Sequence, residues 1–550
     1  MKKTKSRLIH SIYILFFLLA FFLSPSTQAG GFLHTRGQDI VDEEGNTVLL
    51  RGVGLGNWLL PEGYMWKFGK EGDRPRKIEA LVEAMIGPEA AEQFWLDFRR
   101  HYITEADIQR IAELGFNSVR PALNARRFLT EGDDPTMVPE GFELLDNLIR
   151  WCAKHDLYVI IDMHGAPGGQ TGANIDDSPN DLPELFTSPD YQKRLIDLWV
   201  KIADRYKNEP AVAAYDLLNE PLPARTGAAE KYKDQLEPLY KRITAAIRAV
   251  DKKHMITLEG CDWSNDWSVF TEPFDDNVFY QFHYYCWDPV ETLKGIDTFL
   301  TRREQLNTPV WVGETGEKGK TIYWGTTQYF EANNIGWSFW PWKKMDTVNT
   351  PYSINRPTGW DAVAAFSRGE EKPSRESAQK ALNELLDNIK LQNCIYYPDV
   401  VNAILRRVPG KVEAENYGHE GKGKSYSVSD ASHKSEYYRK SEPVPVIAAD
   451  EKGAQKSIRL QPGEWTAYAV NSLKTQNYKA TIRVKAETAP ASLTFSVGKQ
   501  KKNIDMANTD WKEMDLGSLT LSEGENRLQI KVDRGSILCD WFLFEDNEKP

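Results

Sequence analysis

The 550-residue chain is poor in cysteine. Five residues, Cys152, Cys261, Cys286, Cys394 and Cys539, are too few to staple a disulfide scaffold, and their spacing fits no zinc pattern. Cys261 and Cys286 each follow an apolar run and would meet if those runs were neighbouring strands; buried free thiols are the simpler expectation. Positive charge is also short. Lys and Arg number 68 against 79 Asp and Glu, a formal charge of −11, whereas a nucleic-acid partner needs a cationic face. Beyond the N-terminus no apolar run is long enough to span a bilayer. Nor is there a glycine-rich nucleotide turn, because LRGVGLGNW leads into no helix that could cradle a phosphate.

What is present is a globular composition, 41% hydrophobic and 27% charged, with 17 Trp, 23 Tyr and 23 Phe. Lys2, Lys3, Lys5 and Arg7 precede an apolar run from Ile12 to Leu23 and a small-residue exit ending at Ala29. That order describes a secretory signal peptide over 1–29, so the protein is expected to be secreted, periplasmic or extracellular, with no membrane span after cleavage.

From residue 47 short β-rich runs alternate with longer amphipathic stretches. The expected strands are 47–55, 116–123, 157–165, 212–221, 255–260, 278–285, 309–316 and 335–342. Segments such as FELLDNLIRWCAKH repeat apolar residues every three or four positions, as a helix covering one face does. Alternating strands and helices imply parallel pairing, and eight of them imply a closed (β/α)8 TIM barrel over 30–393. After Pro409-Gly410 the helical period vanishes and alternating runs appear (YKATIRVKA, SLTFSVG, RLQIKV). This reads as a linker at 394–410 and an antiparallel β-sandwich over 411–550. The second module has 21 basic and 21 acidic residues and little His or Cys, so a binding or spacing role is expected of it.

Every strand exit carries polar or aromatic residues: Asn57 and Trp58, Arg120, His164, Asn219 and Glu220, Glu259, His283 and Tyr285, Glu314, then Trp337 and Trp340. In a barrel these exits converge on one rim, where active sites of the fold sit. Glu220, after strand four, and Glu314, ending strand seven, would face one another across the mouth. Two facing carboxyls are the minimum equipment for cleaving a glycoside, one a protonated acid and the other an ionised group. Arg120 is placed to hold the nucleophile ionised, His283 and Tyr285 to hydrogen-bond it or the proton path, and Asn219 to meet the sugar 2-hydroxyl. A separation of ~5–5.5 Å predicts retention of configuration and ~6.5–9.5 Å inversion. Trp58, Trp66, Trp263, Trp267, Trp287, Trp337, Trp340 and Trp342 follow strand exits and would give a sugar an aromatic rim, although half of them, Trp337 and Trp342 foremost, are as readily core. Competing readings are a carbohydrate-binding protein with a dead barrel, and a metal-dependent hydrolase using His164 and His283; no His-x-His pair supports the latter.

Several motifs together resemble glycoside hydrolase family 5, the cellulase-type barrels, over residues 31–390. YDLLNEP (215–221) resembles the acid/base signature and VWVGETG (310–316) the nucleophile strand; FHYY (282–285), NSVRPAL, DMHG and FWPWKK also match. The resemblance implies acid/base Glu220 beside Asn219, nucleophile Glu314, support from Arg120, His164, His283 and Tyr285, a sugar platform at Trp340, and retention of configuration without a cofactor. RGVGLGNWLLPE and DMHGAPGGQTG look like the exo-β-1,3-glucanase branch, which implies that Glu62 closes the site beyond the terminal sugar. GYMWKFGKEGDR departs from that branch, so an endo-β-1,4-glucanase or another β-glucoside or β-mannan hydrolase stays open. VEAENY, GEWTAYAVNSLKTQNYKATIRVKAE and CDWFLFE resemble family 6-like carbohydrate-binding modules. That likeness implies a structural Ca²⁺ on Glu413, Glu415 and Asp540, and sugar contacts at Tyr417 and Trp511. A module that only braces the barrel is the alternative.

Overall fold

A computed structural model describes residues 31–286, 295–433, 435, 439, 442–450 and 455–547. The expected signal peptide and Trp287 lie outside these residues. Eight parallel strands close into a barrel: β1 (Arg51–Leu55), β2 (Ser118–Asn124), β3 (Tyr158–Gly165), β4 (Val212–Asp216), β5 (Met255–Glu259), β6 (Val278–Tyr284), β7 (Val310–Gly316) and β8 (Gly336–Trp340). Two fall short of their expected span by four or five residues: β1 starts at Arg51, and 217–221 has already left β4 to form the rim. Seven of the eight are buried along their whole length, β1 from its second residue, because helices cover the outside and side chains fill the inside.

The helices form for the reasons the apolar spacing gives. Pro139–Lys154 starts on a proline with no amide hydrogen to waste and buries Phe142, Leu145, Leu148, Ile149 and Cys152 along one face. Pro189–Tyr206 does the same with Leu195, Leu198, Trp199 and Ile202. Each fully buried Leu or Phe contributes roughly 1.5–3 kcal/mol. An N-terminal hairpin, His34–Arg36 with Asp39–Val41, caps the bottom: Leu33, Ile40 and Leu50 pack on Tyr158, Ile160, Met255, Phe279 and Trp311. Closure of one end leaves the other for chemistry.

The second module is an antiparallel sandwich of two sheets. Ala491–Val497 alternates buried and half-buried residues along its length, the signature of a strand with one face in the core. The segment 394–410 is not an open linker, and the domain boundary expected there is corrected. Ile395–Tyr396 pairs with Tyr352–Ile354, Pro398–Ile404 is a helix on the barrel helix Lys320–Ala332, and Arg407–Val408 pairs in parallel with Trp465–Ser472 of the sandwich. Trp324 of that barrel helix joins the sandwich core beside Val408 and Val412. Glu331, on the same helix, binds Arg51 of the barrel and Arg406 of the connecting segment at 3.0 and 2.7 Å. None of the five cysteines is in a disulfide. Among the described residues no helix is long and apolar enough to cross a membrane.

Candidate active site

The strand ends surround a cavity of about 810 Å³ lined by Glu62, Tyr64, His164, Glu220, His283, Tyr285, Glu314, Glu317 and Trp340, with Asn174, Arg225 and Trp263 farther out. Glu314 is carried to it by β7. A register shift between Phe282 and His283 sets His283 directly beside Glu314 on the neighbouring strand. Glu220 arrives differently. Its backbone takes a left-handed turn, φ 45°, which costs a non-glycine residue on the order of 1–2 kcal/mol. The Glu220 amide donates to Glu259 Oε2 at 2.7 Å, holding that turn in place.

Glu220, His283 and Glu314 each offer an atom within 4.8 Å of the others, so the two carboxyls approach closely enough to share one sugar. The three form the one trio among the described residues with the spacing to hold a cation.

Arg120 lies beneath, fully buried. Its guanidinium donates to Glu314 Oε1 at 2.6 Å, Asp216 Oδ2 at 2.9 Å, Asn219 Oδ1 at 2.8 Å and Glu259 Oε1 at 3.0 Å, and approaches Asp162 Oδ2 at 3.3 Å. Tyr285 Oη donates to Glu314 Oε2 at 2.8 Å, so both carboxylate oxygens of Glu314 have a donor. Burial pushes the Glu314 carboxyl up, but His283, Arg120 and the Tyr285 hydrogen bond outweigh it and hold Glu314 below the usual carboxylate range. For Glu220 the balance reverses. Burial, helped by Glu314 and Glu259, raises it despite His283. Two carboxyls with opposite shifts are what an acid and an ionised partner working at one pH require.

His283 explains how both states coexist. Burial opposes its charge, yet Glu259, Glu314 and Glu220 surround it and raise its pKa well above the ordinary value. Its Nδ1 lies 2.7 Å from Glu220 Oε1 and its Nε2 3.3 Å from Glu259. An imidazolium donating to Oε1 leaves Glu220 Oε2 to carry the transferable proton. His164 bonds Asp162 Oδ2 through Nδ1 at 2.7 Å. Arg120 fixes the Asn219 amide, whose Nδ2 then donates to His164 Nε2 at 3.2 Å, so the His164 proton sits on Nδ1. Asn219 itself lies behind the cavity wall, fully buried on these two partners.

Trp340 lines the cavity and stacks on His164, with ring centroids 5.2 Å apart and planes within 4°. Gly54 and Gly56 of the first strand and its exit make room for it: a Cβ at either would collide with the indole. Tyr64 Oη accepts from Trp340 Nε1 at 3.0 Å and donates to Glu317 Oε1 at 3.0 Å, which also takes Lys344 Nζ at 2.8 Å. Glu62 is buried at the cavity wall with Oε1 unpaired. Burial, then the charges of Glu314, Glu317 and Glu220, raise its carboxyl well above the ordinary value.

Some expectations are corrected. Trp58 belongs to the core, not the rim: it is 1% exposed and its Nε1 donates to the Arg99 carbonyl at 2.7 Å. Trp66 and Trp267 are buried as well, Trp337 and Trp342 lie in the core as their alternative reading had it, and Trp263 and Trp340 are the described tryptophans on the cavity. In the sandwich Tyr417 is fully buried with Arg439 stacked on it, and Trp511 is covered by Arg483 and Lys485, so neither is a bare sugar platform. Burial raises the carboxyls of Glu413, Glu415 and Asp540, with the charges of Glu413 and Asp540 adding to the rise at Glu415, and Glu415 Oε2 and Asn416 Oδ1 are unpaired. Lys411 already pairs with Glu413 and Arg483 with Asp540. Tyr64, Glu317, Lys344 and Arg225 were not singled out by the sequence; only their loops' proximity to strand exits hints at them.

Residues 83–346 match the family described as Cellulase (glycosyl hydrolase family 5). The chain is 30% identical over 380 residues to a probable glucan 1,3-beta-glucosidase A of Aspergillus fumigatus, 58% of this chain and 86% of that one. It is 35% identical over 257 residues to a beta-xylosidase of Phanerodontia chrysosporium, 46% of this chain and 52% of that one. It is 30% identical over 186 residues to endoglucanase C of Acetivibrio thermocellus, 34% of this chain and 50% of that one. The matched region thus spans about half the length of the latter two relatives.

Proposed function

The chain belongs to glycosyl hydrolase family 5, and on that premise we propose a retaining, exo-acting glycoside hydrolase that removes sugar from the end of a β-1,3-glucan. The close approach of Glu220 and Glu314 carries the reading. Glu314 attacks the anomeric carbon as the glycosidic C–O bond breaks, and Glu220 gives its proton to the departing oxygen. Water then adds from the side the leaving group vacated. Glu220 takes that water's proton, and the ester to Glu314 breaks, returning both carboxyls to their starting states. Arg120 and Tyr285 stabilise the Glu314 carboxylate before attack and after release.

Exo action is supported by the wall that Glu62, Tyr64, Trp340 and Glu317 build on the nucleophile side. Product analysis tests it: laminarin should yield single sugars of retained configuration with little early loss of polymer size. Internal scission, or better turnover of cellulose or mannan, would shift the reading to an endo-acting or differently linked hydrolase. Glu314→Gln should abolish hydrolysis while leaving the fold intact; near-normal hydrolysis by that variant would end the mechanism.

For the second module we propose a brace, supported by the shared Trp324 core. A Ca²⁺ there would have to displace Lys411 and Arg483 and draw Glu413, Glu415 and Asp540 together to neutralise them; a melting point unmoved by Ca²⁺ or chelator would remove it. Export through 1–29 is proposed likewise, and a mature N-terminus near Gly30 would support it.

A further inference from the structure

The cavity has two sides, set by strand order around the barrel. Glu314, Glu317, Trp340, Glu62 and Tyr64 come from β7, β8 and β1 and the loops that follow them; Glu220, Arg225, Trp263 and Asn174 come from the loops after β4, β5 and β3. The nucleophile thus sits with the first group and the proton donor with the second. A leaving group must lie on the proton donor's side, since its oxygen takes the proton. That side carries a feature the chemistry above does not use.

Asp262, Trp263 and Ser264 have successive φ values of 51°, 59° and 69°, a run of left-handed conformations that L-residues enter only at a cost. The loop is tied down on every side. The Asp262 amide donates to the Leu222 carbonyl at 3.2 Å, and the Ala224 amide to Asp262 Oδ1 at 3.0 Å. Asn265 Nδ2 donates to the Trp263 carbonyl at 2.8 Å and Ser264 Oγ to the Gln281 carbonyl at 2.9 Å. A strained turn held this firmly fixes the direction of one side chain, the half-buried Trp263 at the cavity. Arg225 lies across it, Cζ 4.9 Å from the ring centroid, and donates through Nη2 to Asn174 Oδ1 at 3.0 Å. Among the described residues no carboxylate lies within ion-pair distance of Arg225, so N–H groups of its fork are free to donate.

We propose that Arg225 and Trp263 form the leaving-group subsite, and that they select a second pyranose there over a small alkyl or single-atom leaving group. An indole face meets the C–H face of a pyranose, guanidinium N–H groups meet its equatorial hydroxyls, and Asn174, Asn265 and Asp262 offer further donors and acceptors around it. The inference rests on the proposed hydrolase reaction and names its specificity residues.

The test compares two substrates that share the same glycosyl group. Laminaribiose leaves a pyranose; β-glucosyl fluoride leaves one atom and reaches no residue beyond Glu220. For Arg225→Ala and Trp263→Ala the ratio of kcat/KM on laminaribiose to that on the fluoride should fall at least fivefold and tenfold respectively, mainly through KM. Arg225 is exposed, so its variant keeps the answer readable if the strained loop does not tolerate Trp263→Ala. A ratio unchanged in Arg225→Ala, or equal losses on both substrates, overturns the subsite. Failure of the wild-type enzyme to turn over even the fluoride overturns the hydrolase reading, and the subsite with it.

Discussion

Replacing Tyr285 by Phe removes one oxygen and nothing else from the site, so its effect can be worked from geometry. The hydroxyl donates to Glu314 Oε2 at 2.8 Å, while Oε1 keeps its Arg120 donor at 2.6 Å. A hydrogen bond to a charged acceptor contributes roughly 1.5–3 kcal/mol, and one pKa unit corresponds to about 1.36 kcal/mol. Losing the donor disfavours the carboxylate, so the Glu314 pKa rises by about one to two units. The nucleophile must be ionised to attack, so the acid limb of the kcat/KM profile moves to higher pH by that amount. The alkaline limb, which reports the Glu220 proton, should move far less because Tyr285 does not bond Glu220. Above the acid limb the rate should change little: attack consumes the very charge that the hydroxyl stabilises, so the lost bond weakens ground state and transition state together. An aryl β-glucoside assayed across pH 3–8 reads both limbs. An acid limb that stays put would refute the claim that the hydroxyl holds the nucleophile ionised.

Two further outcomes follow from the same reasoning. Burial, with the charges of Glu314, Glu317 and Glu220, raises Glu62 well above the usual carboxyl range; Glu62→Gln, which keeps the side chain's shape, should cost less than about tenfold in kcat/KM, whereas Glu62→Ala, by opening the wall, should lose more and release longer products, both read by chromatography of laminarin digests. Glu331 is held down to about 2, with burial outweighed by Arg406 and Arg51. A depressed carboxyl stabilises the fold above its unfolded pKa and loses that contribution as pH falls toward the folded one, so Glu331→Gln should destabilise by about 2–3 kcal/mol at pH 7, with a gap to wild type that narrows below pH 4 in denaturant titrations.

The barrel was legible because parallel strands buried on both faces are continuous apolar runs, and because chemistry collects where they end. The placement of Arg120, His283 and Tyr285 beside the two carboxyls was legible for the same reason: each lies in or within two residues of a strand's apolar core. Direction was not legible. Trp58 and Trp340 both follow strands, yet Trp58 turns to the Arg99 carbonyl, 41 residues away in sequence, while Trp340 lies over two glycines at the cavity. The connecting segment misled because Pro409-Gly410 and the loss of helical period look like a spacer, whereas what orders it includes pairing with distant strands, Tyr352–Ile354 and Trp465–Ser472. Tyr417 and Trp511 have the residue type of a sugar platform; the arginines that cover them come from elsewhere in the chain. Arg225 left no trace because a stacked guanidinium needs no local pattern.

Trp324 gives the two modules a shared history. An indole rooted in the barrel but packed among the sandwich's valines makes each half part of the other's interior. A gene fusion or trimming event at the seam would strand that ring in water and empty its socket at one stroke. These halves are therefore expected to be inherited together, and anyone shortening the protein for crystals or industry should cut elsewhere.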